Sequence, residues 1–200
     1  MTKTTLREDL ASVGVKVGSV WDLVQRRDRY DAALPVLIQH LETSNDRSEV
    51  EGIARALTAR WASSAVPALV RQFPRWVDGP ERKPRHTGWA IGNAINQAWR
   101  EDQLDDVLAL AAEPAYGSDR AMIVDGLWRA KRPEARELLE ALLDDDSVQQ
   151  WAVYALGRLA TPADITLFER VLAEGTPGGQ REARKVLKKL HIRKENEQVL

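Results

Sequence analysis

No cysteine occurs among the 200 residues, which removes disulfides, thiolate metal ligands and thiol nucleophiles together. Histidine is scarce as well. His40, His86 and His191 stand far apart in the sequence, so an oriented Ser–His–acid set has little to draw on. Charge of one sign is also missing: 29 Lys and Arg face 30 Asp and Glu. Binding to a nucleic-acid backbone is dominated by clustered cations, so nucleic acid is disfavoured as a partner. No apolar run approaches the roughly 18 residues of a membrane span, and the opening MTKTTLREDL has no signal-peptide core. The expectation is a soluble cytoplasmic protein with no membrane contact. With no strand evident there is no strand-borne phosphate loop either, and no cofactor is expected.

What the chain does contain is a repeat. Across Ser147–Leu159 (SVQQWAVYALGRL), Val148, Ala152, Ala155, Leu156 and Leu159 fall on one helical face. Ser147 is placed to cap that helix. Thr161, Pro162 and Asp164 then give a cap, a first-turn proline and a first-turn acid for a second helix. Its stripe is Ile165, Phe168, Val171 and Leu172. Two helices of this length cannot close a core alone, so each pair must stack on another. Sliding the first helix along the chain gives Leu57, Ile95, Leu127, Leu156 and Leu187 as equivalents, at steps of 38, 32, 29 and 31. Sliding the second gives Leu37, Leu69, Val107, Leu139 and Phe168, at steps of 32, 38, 32 and 29. Both registers put the long step in the same part of the chain.

ALPVLIQHL (Ala33–Leu41), AVPALV (Ala65–Val70), ARELLEAL (Ala135–Leu142) and WAVYALGRL (Trp151–Leu159) resemble the HEAT-like repeat family, including the short repeats of phycobilisome-lyase type. That resemblance implies an all-α fold, a right-handed α-solenoid of about five to six stacked HEAT-like helix pairs.

The expected layout is one domain over 1–200: an N-terminal cap (1–29), an irregular loop (74–84), and a C-terminal cap and tail (178–200). Thr5–Arg27 reads as the capping helix, weakened by Gly14 and Gly18. PRWVDGPERKP (74–84) carries three prolines, which argue against a continuous helix there. Asp144, Asp145 and Asp146 read as an inter-repeat turn, since no further oxygen ligands follow at loop spacing; no metal is expected. The cations from Arg181 to Lys194 suit the solvated outer face of a capping repeat.

In stacks of this family the helix of the Ser147–Leu159 type lines the concave surface, so positions between the buried ones point into a groove. These are Gln150, Trp151, Tyr154 and Arg158, with equivalents Glu51, Gly52 and Arg55, then Trp89, Ala90 and Asn93, then Ala121, Met122, Asp125 and Arg129. Trp, Tyr and Arg are the side chains that most often carry interface energy. Trp89 and Trp151 have a competing assignment to the core, and Trp21, Trp61, Trp76, Trp99 and Trp128 are assigned to packing. The leading functional reading is a non-catalytic, monomeric module that binds another protein in its concave groove: an adaptor, assembly factor or immunity/antitoxin-like protein. The alternative comes from resemblance to HEAT-like alkylpurine DNA glycosylases, which implies tryptophans and a carboxylate around a cationic lesion. Trp89 with Asn93, Asp125 near Arg129, and Trp151 with Tyr154 are similar in kind. Against it, Asn93 stands where a carboxylate is wanted and the groove is not basic.

Overall fold

The computed structural model describes residues 5–78 and 86–197, with side chains as far as 192. Twelve α-helices and no strand occur among the described residues. In order they are α1 (Leu6–Ser12), α2 (Trp21–Val24), α3 (Leu34–Thr43), α4 (Arg47–Ala56), α5 (Val66–Trp76), α6 (Thr87–Ala98), α7 (Leu104–Ala112), α8 (Ala121–Gly126), α9 (Pro133–Ala141), α10 (Gln149–Leu159), α11 (Ile165–Glu174) and α12 (Pro177–Glu197). The even-numbered helices pack on one another in sequence, α2 on α4 and so on to α12. The odd-numbered ones form a second layer, with α1 on α3, α3 on α5, α5 on α7 and α7 on α9. Twelve helices in two layers make the stacked pairs of an all-α solenoid.

Local chemistry sets the helix ends. Pro35, Pro67 and Pro133 occupy first-turn positions, where the missing N–H costs nothing. Short 3-10 turns, Asp31–Ala33, Glu101–Gln103 and Pro162–Asp164, lead into α3, α7 and α11. Thr161 and Asp164 form a reciprocal capping box at the last of these. Ser147 does not cap α10 as expected. Its N–H and hydroxyl both donate to Asp145 Oδ1, and the helix begins after Val148.

All ten residues of the two repeat registers are buried, and the core they join runs without a break from Leu6 to Leu190. Three expected boundaries are corrected. Thr5–Arg27 is not one helix: Gly14 takes φ +83°, which ends α1 and turns the chain before α2. Trp21, assigned to packing, is 39% exposed and Val13 36%, while Val15 and Leu23 are buried. The loop expected at 74–84 starts later, because α5 continues through Pro74 to Trp76. Pro74 is exposed and lies in the last turn, so the damage to the hydrogen-bond ladder is confined there, and buried Phe73 and Trp76 on either side hold the turn. Residues 79–84 of that loop lie outside the described residues. At the other end α12 runs as one helix to Glu197, through most of the stretch expected as C-terminal cap and tail; residues 198–200 lie outside the described residues.

Candidate binding face

The even helices set the candidate face. Gly52, Ala90 and Ala121, expected to line it, are instead buried. Small residues let successive helices approach, and a methyl on Gly52 would overlap the side chain of Val20, just before α2. Longer side chains one turn away reach the surface.

Glu51, Arg55 and Trp89 come together. Arg55 Nη2 and Nε donate to Glu51 Oε1 at 2.8 and 3.0 Å, one helical turn apart on α4. The Arg55 guanidinium also stands 5.9 Å from the centre of the Trp89 ring on α6. Asn93 follows one turn after Trp89 and is half-buried, as is Met122 on α8.

A second cluster gathers Asp125, Arg129, Tyr154 and Arg158. The Arg158 guanidinium lies 4.1 Å from the Trp128 ring centre and 5.6 Å from that of Tyr154, with Nη1 donating to the Tyr154 hydroxyl at 3.3 Å. Tyr154 is 42% exposed and Arg158 is exposed. Arg129 stands 5.1 Å from the Trp99 ring centre and donates to Asn96 Oδ1 at 3.0 Å and to the Asn96 carbonyl. Asn96 Nδ2 in turn donates to Asp125 Oδ2 at 3.0 Å. This network fits because α8 presents Gly126 to α6: a methyl there would sit 2.6 Å from Asn96 Oδ1. Trp151 is set apart from both clusters, half-buried and packed against the core. Trp89 is likewise half-buried, so neither tryptophan is wholly in the core or wholly on the face.

Asn96 and Trp128 were not singled out for this face by the sequence. Trp128 was assigned to packing, yet its ring is the platform for Arg158. Asn96 is a buried polar residue beside Ile95, and a polar residue at a stripe edge was the available signal.

Burial pushes the Asp125 carboxyl above the usual aspartate range, and the Asn96 amide, Arg158 and Arg129 only partly oppose it. Its Oδ1 has no hydrogen-bond partner among the described residues. A carboxyl raised on folding binds protons more tightly in the folded state, so its contribution weakens stability as pH rises through the window above the unfolded value. Asp125→Asn keeps the acceptor for Asn96 and removes the charge. Urea unfolding should therefore show the variant gaining on wild type as pH rises above about 4. A difference that is flat or falls with pH would show that the charge is not penalised in the fold.

Elsewhere His40 is not isolated. Buried in α3, it bonds Asp9 Oδ2 of α1 through Nε2 at 2.8 Å, with Nδ1 3.6 Å from Glu49 of α4. It ties three helices together beneath the surface. Among the described residues no group of three or more His, Cys, Asp or Glu side chains is gathered as a metal site, and no helix is long and apolar enough to cross a membrane.

A family model described as HEAT repeats matches residues 93–188, from the middle of α6 to within α12. No curated protein and no solved structure matches the chain.

Proposed function

Because the chain carries HEAT repeats across residues 93–188, we propose that it is a non-catalytic interaction module that docks another protein on the face of its even-numbered helices. Stacked repeats present extended surfaces of this kind, and no reaction chemistry is needed for the role. The observation that supports the reading is the Arg158–Trp128–Tyr154 stack. The exposed Arg158 lies on the Trp128 ring and bonds the exposed Tyr154, so less side-chain freedom remains to be lost on binding. Glu51 and Arg55 on α4 and Trp89 and Asn93 on α6 extend the same face, with Met122, Asp125 and Arg129 on or just after α8 in between. An adaptor, an assembly factor and an immunity protein would all use such a face.

The test is a pull-down from native lysate with wild type and with Tyr154→Ala/Arg158→Ala, read by mass spectrometry. A discrete protein retained by wild type and lost by the variant is expected, with the melting temperature of the variant within about 2 °C of wild type, because surface changes of this kind cost little. Identical profiles from the two would remove the face from consideration. Trp151→Ala is a less clean probe, since truncating a half-buried ring against the core also opens a cavity.

A further inference from the structure

The even helices run in the same sense, so their C-terminal ends share one rim, and each end there carries an arginine: Arg60 after α4, Arg100 after α6, Arg129 after α8 and Arg158 in the last turn of α10. Three of the four reach a neighbouring helix end. Arg100 Nη2 donates to the Arg60 carbonyl at 3.0 Å, Arg129 donates to Asn96 near the end of α6, and Arg158 stacks on Trp128. Cations at helix C-termini complement the macrodipole, which accounts for Arg100 and Arg129 and their carbonyl bonds. It also covers Arg158, in the last turn of α10, but not Arg60, which lies beyond the end of α4. Arg60 and Arg158 are exposed and make no ion pair among the described residues.

Asp125, Glu101 and Asp164 near this rim are already engaged, while Asp102 is exposed. Asp125 is half-buried and bonded to Asn96. Glu101 accepts the Lys131 N–H, and Asp164 is held by Thr161 and Arg136. Asp102 lies in the first turn before α7. Arg129 is depressed below the usual arginine range by burial first and then by Arg60 and Arg158, against which Asp125 acts. The rim thus concentrates positive charge in a chain whose net charge is −1.

We propose that this rim receives an acidic segment of the partner protein, its carboxylates meeting Arg60 and Arg158 and an apolar side chain lying on Tyr154. The proposal rests on the even-helix face being a protein-binding face. The face of the Arg158 guanidinium is taken by Trp128, which leaves its edge for forked contact with a carboxylate. A nucleic-acid backbone fits less well. Such binding needs a longer run of cations, and the Asp125 carboxylate stands among the few present.

The experiment is fluorescence anisotropy with a labelled random copolymer of glutamate and tyrosine, on the full chain at physiological ionic strength. Arg60→Gln/Arg158→Gln is compared with Arg71→Gln/Arg170→Gln, which removes the same charge from exposed sites on the odd-numbered helices α5 and α11. The rim variant should raise Kd roughly ten-fold or more and the control less than about two-fold. Equal loss in both variants, or no binding of the copolymer, overturns the proposal. So does a short duplex DNA that binds more tightly than the copolymer and is lost with the rim variant, which assigns the rim to nucleic acid. A pull-down partner lost with Tyr154→Ala/Arg158→Ala but kept by Arg60→Gln/Arg158→Gln leaves the binding face standing and overturns the acidic segment alone.

Discussion

Arg120→Met should cost about 3–5 kcal/mol of stability, the range for breaking a buried ion pair from one side. At roughly 2–4 °C per kcal/mol for a chain of this size, the melting temperature falls by about 6–20 °C. Arg120 is fully buried and is the largest such side chain among the described residues. Its guanidinium donates to the Ala111 carbonyl at 2.6 Å, the Gly117 carbonyl at 3.2 Å, the Ser147 hydroxyl at 3.3 Å and the Asp145 carboxylate. Methionine fills the space and satisfies none of these acceptors. Two repeats then lose their common strut, because Ala111 lies in the last turn of α7 while Asp145 opens the turn into α10.

Asp145 supplies a second readout. Burial alone would raise its carboxyl, but the Ser147 hydroxyl and the Arg120 charge outweigh burial and hold it below the usual aspartate range. A carboxyl depressed on folding stabilises the fold above its unfolded value, and that stabilisation is lost as pH falls through the folded one. Arg120→Met should therefore flatten the acid limb of wild-type stability as well as lowering the plateau. Arg120→Met/Asp145→Leu should recover part of the loss by removing the stranded charge. A single variant with wild-type melting would mean the pair does not hold these repeats together.

The repeat was legible because its signal is redundant. Leu57, Ile95, Leu127, Leu156 and Leu187 had only to be apolar at a common spacing for the stack to be read, and all are buried. Arg120 had no such redundancy. In GSDRAM it reads as a solvated charge near a helix start. Its burial depends on Gly117 turning at φ +51°, ψ −138°, which folds the chain back over the guanidinium. Periodicity carries no information about one backbone angle. The failure at 13–20 has the same origin, since the apolar spacing runs on across Gly14 while the backbone does not.

The candidate face was legible by residue type and less so by neighbour. Arg55 with Glu51 and Arg158 with Tyr154 are one-turn pairs, visible from spacing alone. Asn96 and Trp128 join the face through contacts with the next helix, and the offset between stacked helices is not written in either one. The buried Gly52, Ala90 and Ala121 mark the same gap. Position on a single helical wheel says nothing about which outward residues the next repeat covers.

Phe73→Ala tests the place where the stack departs most from its regular step. The chain between α5 and α6 is the long connection, and a longer loop constrains its ends less. Packing must hold the two helices together there. Phe73 is fully buried and meets the Tyr116 ring edge-on, with centroids 5.4 Å apart at 85°. Its ring also fills the space beside Gly92 of α6, where a methyl would be 3.5 Å from Phe73 Cε2 and 3.1 Å from the Asp119 carbonyl. The backbone on that side cannot collapse into the void. Truncation should thus cost the full 3–5 kcal/mol or so of a buried aromatic. Each repeat touches only its neighbours, so weakening this junction should also divide the unfolding transition. Hydrogen exchange on Phe73→Ala should show amides of α3–α5 opening before those of α8–α12, where the wild type opens them together. One cooperative transition with a loss under about 1 kcal/mol would show that the long step is held by something other than this contact.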